Sequence, residues 1–393
     1  MLRSMYSGIS GMKNFQTKLD VIGNNIANVN TYGFKKGRVT FKDTMNQTIS
    51  GASAAQNGKG GKNPMQVGLG STIATIDTID TQSSLQTTGR SLDLAISGDG
   101  YFVVKQGNAQ FYTRAGNFYL DEEGTLVNGD GYKVQSNNNG VLEDIKVDVN
   151  SILPAQKSTE LKIDGNFPTG VAGDTEQLQQ IKVVDSDGEE HTIELSVKST
   201  GTSGEWKITL QDRSKSSLTD LVITIKDGAI TNENGTLAVD DGTALGEPIP
   251  LDILLGNVTS NAGNLNALFS PNGTTQGAIE SFSIGQTGEI SGVFSNGRVE
   301  TLGVLALAKF SNAAGLSKVG NNMFQDSVNS GTANIGTPGD GYGNIASGAL
   351  EMSNVDLSEE FTEMITAQRG FQANTRIITT SDEILQELIN LKR

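Results

Sequence analysis

The stretch "LDVIGNNIANVNTYGFK", residues 19–35, sets an apolar stripe among residues that weaken a helix. Leu19, Ile22, Ile26 and Val29 keep helical spacing, while Gly23, Asn24, Asn25 and Asn28 fill positions between them. Gly loses backbone entropy in a helix, and Asn side chains compete for backbone hydrogen bonds. A helix built here needs a partner to cover its stripe. Reading upstream, Met12, Phe15, Leu19, Ile22, Ile26 and Val29 follow at steps of 3, 4, 3, 4 and 3, and Met5 continues the series. That is a heptad pattern. It predicts a helix of about 25 residues, about 37 Å long at 1.5 Å per residue.

The other end of the chain offers a matching element. In "DLSEEFTEMITAQRGFQANTRIITTSDEILQELINLKR", Phe361, Met364, Phe371, Ile378 and Leu385 form a stripe widened by Ile384, Leu388 and Leu391. Asp356 and Glu359 stand as in a capping box. Polar Gln368, Thr375 and Asp382 fall at core-like positions. Two ordinary amphipathic helices lying on a core would show the same periodicity. Charge favours mutual pairing instead: residues 1–45 hold seven Lys/Arg against two Asp, and residues 350–393 hold eight Asp/Glu against four Lys/Arg. A seam of two such helices, with surface left over for copies from neighbouring molecules, is the expected assembly interface. Its positions are Met12, Phe15, Leu19, Ile22, Ile26, Val29, Phe361, Met364, Phe371, Ile378, Leu385 and Leu388. Head-to-tail contacts of this kind do not close and grow into helical filaments. Gly8, Gly11, Gly23, Asn24, Asn25 and Asn28 are expected to form a second face, for close approach and hydrogen bonding between crowded helices.

Between the ends the pattern changes. Six Asn-Gly and seven Asp-Gly dipeptides, the turn formers of tight hairpins, all lie between residues 57 and 341, and the seven prolines lie between Pro64 and Pro338. The interior therefore reads as β. The predicted fold class is multidomain α+β: long terminal α-helices pairing as a coiled coil, with two mainly antiparallel β domains nested between them. The expected boundaries are 1–30 and 357–393 for the helical assembly domain, 31–90 for an extended connector, 91–144 and 285–356 for an inner β domain, and 145–284 for an inserted outer β domain. The run "LGVLALA", residues 302–308, fits a buried strand of the inner domain.

Composition excludes several chemistries. The 393 residues include no Cys and one His, so disulfides, thiol catalysis and Cys-based zinc sites are out, and a Ser/His/Asp triad would rest wholly on His191. A turn-flanking position explains His191 better. Asp185 and Asp187 with Gly188 resemble the start of a calcium loop, but the later ligands do not follow, and a hairpin turn is the better reading. Trp206 beside Glu205 suggests a sugar platform, although a lone Trp usually fills a core. No GxxxxGK[ST] loop is present, and no cofactor or metal is expected. The net charge of -15 opposes nucleic acid and anionic membranes as partners. The longest apolar run is far short of the roughly 20 residues that span a bilayer, so no membrane insertion is expected. The N-terminal residues lack a secretory leader pattern, so a route outside the cell would be another one.

"NNIANVNTYGFK" and the wider "SGISGMKNFQTKLDVIGNNIANVNTYGFK" resemble the N-terminal signature of the bacterial flagellar rod and hook proteins. "GALEMSNVDLSEEFTEMITAQRGFQANTRIITTSDEILQELINLKR" resembles their C-terminal signature, and "GRSLDLAISGDGYFVV" and "TRAGNFYLDEEGTLVNGDGYKV" are similar to their inner pieces. Residues 145–284 match no motif. The length and large insert resemble the hook branch more than the shorter rod subunits, while "MLRSMYSGISGMKNF" has the flavour of distal rod proteins. The resemblance implies a non-enzymatic homopolymer, a helical tube with terminal helices around a channel and β domains outward. It also implies export through the flagellar type III apparatus, with rod, hook cap and hook–filament junction proteins as neighbours. A distal rod subunit is the near alternative, and an extracellular polysaccharide-active β protein the distant one.

Overall fold

A computed structural model describes residues 2–54, 60–138, 140–148, 152–168, 176–199, 206–211, 225–226, 229–230, 236–239, 249–259, 261 and 264–391. The chain is mostly β, with one long helix at each end: α1, Leu2–Ala27, and α2, Leu357–Asn390. It divides into two compact units. The first holds Met1–Val147, Ser283–Ser291 and Thr301–Arg393; the second holds Asp148–Phe282 and Gly292–Glu300.

In the first unit, α1 leads through a tight turn into β1, Gly37–Asp43. The expected connector is extended but paired. β1 runs antiparallel to β4, Ser71–Thr78, and β2, Asn46–Ser50, runs antiparallel to β3, Met65–Gly68. The β-branched residues of "GRVTF" and "STIATI" favour pairing over a loose linker. Further on come β5, Leu85–Thr87, β6, Leu94–Ser97, β7, Tyr101–Gln106, and β8, Ala109–Thr113. β7 lies between β8 and the strand Lys133–Asn138, and also pairs with Leu307–Lys309.

Tyr101, Phe102, Val103 and Val104 are all buried, so both faces of β7 are covered. Phe102 meets Phe118 edge to face at 5.1 Å on one side; Tyr101 and Val103 join Tyr112, Phe310 and Phe324 on the other. Leu305–Ala308 are fully buried, as the apolar run suggested, while Leu302 to Val304 are half-buried.

The second unit has a core formed by strands Glu160–Asn166, Glu176–Val184, Glu190–Ser199, Trp206–Gln211 and Asn266–Pro271. Trp206 is buried in it, edge on to Phe167 at 6.0 Å, which is the core reading of the lone Trp. Glu205 lies outside the described residues. One pairing departs from the antiparallel rule: Glu160–Asn166 runs parallel to Ile249–Thr259. The long chain excursion between those strands supplies the crossover that a parallel pair needs. Among the described residues no helix is long and apolar enough to cross a membrane.

Candidate assembly interface

α1 and α2 pack antiparallel, because contact positions run in opposite directions along the two helices. Gly8 lies against Asn374 and Ile378, Phe15 against Gly370, Lys18 against Glu363 at 3.1 Å, and Asn25 against Glu360. The approach is close. A Cβ on Gly370 would meet the Phe15 ring at 2.5 Å, and one on Gly11 would meet the Asn374 side chain at 2.8 Å. Met12 accepts a hydrogen bond on Sδ from Thr375 Oγ1 at 3.3 Å. The other side of α1 faces the β1–β4 hairpin. There Asn14 Nδ2 donates to Ser71 Oγ at 2.8 Å, and Phe15 and Phe41 meet edge to face at 6.1 Å.

This close approach decides which face of α2 turns inward. Glu360, Ala367 and Ser381 are buried and Asn374 is half-buried, a small and polar column at steps of seven. Of the expected seam, Ile22 is buried at 3 % exposure, while Met12, Phe15, Leu19, Ile26, Val29, Met364, Ile378 and Leu385 are half-buried. Phe361 is 50 % exposed and Phe371 36 %, and the side chain of Leu388 lies outside the described residues. Gln368, Thr375 and Asp382, expected in core-like places, are exposed. The inner column sits one position before them, about 100° around the helix. Heptad spacing marks a stripe, but the close approach at Gly11 and Gly370 favours small residues where the helices touch. Those residues, above all Ala367, Gly370 and Asn374, were the part missed from the sequence. Steps of seven from Glu360 to Ala367, Asn374 and Ser381 were the available signal, and Gly370 falls outside that series.

The Asn/Gly second face divides in the same way. Gly8 and Gly11 face α2, whereas Gly23 and Asn24 are exposed, and Gly23 has nothing near its Cβ direction. Asn28 turns back on its own helix, donating from Nδ2 to the Asn24 carbonyl at 2.9 Å. Asn25, 2 % exposed, ties three elements together. Its Nδ2 donates to the Gly37 carbonyl at 2.9 Å and to Glu360 Oε2 at 3.2 Å, while its Oδ1 accepts from Gly37 N at 2.9 Å. Burial raises the Glu360 pKa above the ordinary glutamate value, against the opposing pull of Asn25 and Lys36.

At the start of α2, Asp356 Oδ1 accepts from Ser358 N at 2.8 Å and Glu359 N at 3.4 Å. The box is half made: the Glu359 carboxylate accepts from Lys36 Nζ at 2.7 Å instead of returning to the cap backbone. A nearby cation offers a stronger bond than an amide N–H.

Apolar side chains remain exposed along α2 at Phe361, Ile365, Ile377 and Ile384, and at Tyr6 on α1. The β2–β3 hairpin adds Ile49, Met65 and Val67. In the second unit, His191 Nε2 lies 2.9 Å from Asp185 Oδ2. Asp185 Oδ1 accepts from Asp187 N at 2.9 Å and Glu189 N at 2.8 Å, the hairpin turn preferred over a calcium loop. Burial opposes ionisation of Asp185, but the His191 and backbone hydrogen bonds outweigh it and its pKa falls.

Three family models match: "Flagella basal body rod protein" over residues 5–35, "Flagellar hook protein FlgE/F/G D1 domain" over 95–202, and "Flagellar basal body rod FlgEFG protein C-terminal" over 346–391. The chain is 39 % identical to the flagellar hook protein FlgE of Borreliella burgdorferi, covering 100 % of both chains. It is 43 % identical to the flagellar basal-body rod protein FlgG of Bacillus subtilis, again over 100 % of both, and 33 % identical to FlgE of Escherichia coli over 98 % of each. Among solved structures, the Helicobacter pylori flagellar hook protein FlgE2 shares the fold at a TM-score of 0.53 and 14 % identity, covering 68 % of this chain and 100 % of that one.

Proposed function

Because the chain belongs to the bacterial flagellar hook and rod protein family, we propose that it is a hook subunit whose copies polymerise into a curved tube carrying motor torque to the filament. The family is structural, and the chain's role is mechanical, without catalysis. α1 and α2 act as a coiled-coil-like pair, with the seam positions Met12, Phe15, Leu19, Ile22, Ile26, Val29, Met364, Ile378 and Leu385 holding it. Phe361 and Phe371 face neighbouring copies. The 145–284 region is read as an outer domain inserted into the inner one, with the inner domain formed by 91–144 and 285–356.

The observation that carries the reading is the uncovered apolar face of α2 around Phe361 and Ile365, 50 % and 58 % exposed. Large apolar side chains in line on a helix favour a protein partner. A heterologous contact there propagates as a filament. Rod, hook cap and hook–filament junction proteins are its proposed neighbours in the axial structure, outside the cell. Delivery runs through the flagellar type III apparatus. The 43 % identity to a basal-body rod protein supports a distal rod subunit as the second reading.

Electron microscopy of the purified chain in a sulfate buffer, which strengthens apolar burial, separates these readings. Curved tubes from the full chain, absent when residues 1–30 and 357–393 are removed, support the hook. Straight tubes favour the rod, and monomers from an intact fold reject assembly.

A further inference from the structure

Outside the seam, the first unit buries a cluster of charges that helix pairing does not use. Glu351, in the strand Ala349–Glu351, has a fully buried side chain. Its Oε1 accepts from Lys35 Nζ at 2.8 Å and from Ser83 N at 3.1 Å, and its Oε2 accepts from Arg114 Nη1 at 3.2 Å. Lys35 and Arg114 are themselves only 1 % and 3 % exposed. Lys35 Nζ also donates to the Thr81 carbonyl at 2.8 Å and lies 3.8 Å from Asp80 Oδ1, while Asp80 Oδ2 accepts from Tyr101 OH at 2.6 Å. Two cations thus face two carboxylates. Among the described residues, Glu351 is the carboxylate paired with Arg114.

The partners come from distant parts of the chain: Glu351 is 316 positions from Lys35 and 237 from Arg114. Neighbouring backbone makes the same closure. Gly33 N donates to the Glu351 carbonyl at 2.8 Å, and Lys36 N donates to Asn354 Oδ1 at 2.8 Å. By contrast β7 and β8 are joined by a short turn and could pair early on local grounds.

We propose that Glu351 is a completion lock: the β7–β8 core and the 31–36 strap close only when the chain is present as far as residue 351. Before then, closure would bury Lys35 beside one distant carboxylate and Arg114 beside none. Removing one partner of a buried charge group is far more damaging than replacing the whole group by apolar residues. The ionic version therefore makes closure conditional where an apolar core would not. Its use rests on the proposed delivery of an unfolded chain, which it keeps open until the last segment has arrived.

The test is hydrogen exchange on the full-length chain. Glu351→Gln keeps the side-chain shape and should speed amide exchange in β6 to β8 and the 31–36 strap by about 100-fold, with residues 176–199 unchanged. A neutral-cluster variant, Lys35→Met, Asp80→Asn, Arg114→Met and Glu351→Met together, should regain protection. In pulse-labelled refolding of the native chain, β7 and β8 amides should gain protection in the same step as Gly33 and Met352, and in an earlier step in the neutral variant. Native-like exchange in Glu351→Gln, or β7–β8 protection preceding Gly33 in the native chain, would overturn the lock. Should Glu351→Gln fail to fold, the native and neutral refolding experiments still decide. Secretion tests the delivery reading separately. If the neutral variant closes early yet is secreted as well as the native chain, the lock stands and the delivery reading falls.

Discussion

Replacing Asn25 with Ala leaves the Gly37 N–H and C=O and the buried Glu360 without a shared partner. An unsatisfied buried group costs about 1–3 kcal/mol, so the chemical denaturation midpoint should drop by the equivalent of at least 2 kcal/mol, roughly. Glu360 carries a prediction of unusual sign. Its pKa in the folded chain is raised by burial, so the folded state holds the proton more tightly than the unfolded one. That contribution is fully present below the ordinary glutamate pKa and is lost as pH rises through the raised value. Melting curves should show Glu360→Gln gaining on the native chain as pH rises from the glutamate range. Asp185, whose pKa is lowered, behaves the opposite way. Native stability relative to Asp185→Asn should fall as pH drops below the ordinary aspartate value. Equal pH profiles for either pair would refute the corresponding assignment.

On the scale of an element, two helical glycines of identical chemistry should respond with opposite sign. Gly370→Ala drives a methyl into the Phe15 ring, and overpacking of this kind costs about 1–3 kcal/mol. Gly23→Ala meets nothing and gains helix propensity, so it should stabilise by about 1 kcal/mol. Far-UV circular dichroism during unfolding reads both. The same pair shows what the sequence can tell about a helix. The steps of three and four from Met12 to Val29 disclosed α1, which extends from Leu2 to Ala27. They could not disclose which face of α2 turns inward. Two adjoining columns share a seven-residue period, and the choice depends on how near Gly8 and Gly11 let the helices come. The β interior was legible from its Asn-Gly and Asp-Gly turns. The role of "TYGFKK" as a strap was not, because its partners Glu351, Asn322 and Lys318 lie far along the chain.

For the whole molecule, the single Trp is a useful probe because it lies in the second unit, whereas the two long helices lie in the first. Trp206 fluorescence and helical dichroism should give separate unfolding midpoints if each unit is cooperative on its own. Coincident curves would show one cooperative block. Phe361→Asp with Ile365→Asp should leave both midpoints within about 0.5 kcal/mol of native, since these side chains are exposed, and should abolish tubes in the microscope. Tubes that persist would put the contact elsewhere. The antiparallel arrangement of α1 and α2 also fixes a load path. Ala27 and Leu357, the helix ends that lead into the β structure, lie at the same end of the pair. Tension between the far tip of the pair and that end therefore runs along two covalent backbones in parallel, like a rope doubled over a hook. The side chains between the strands need only stop them slipping, a task that a close, small-residue seam can perform without a large apolar core.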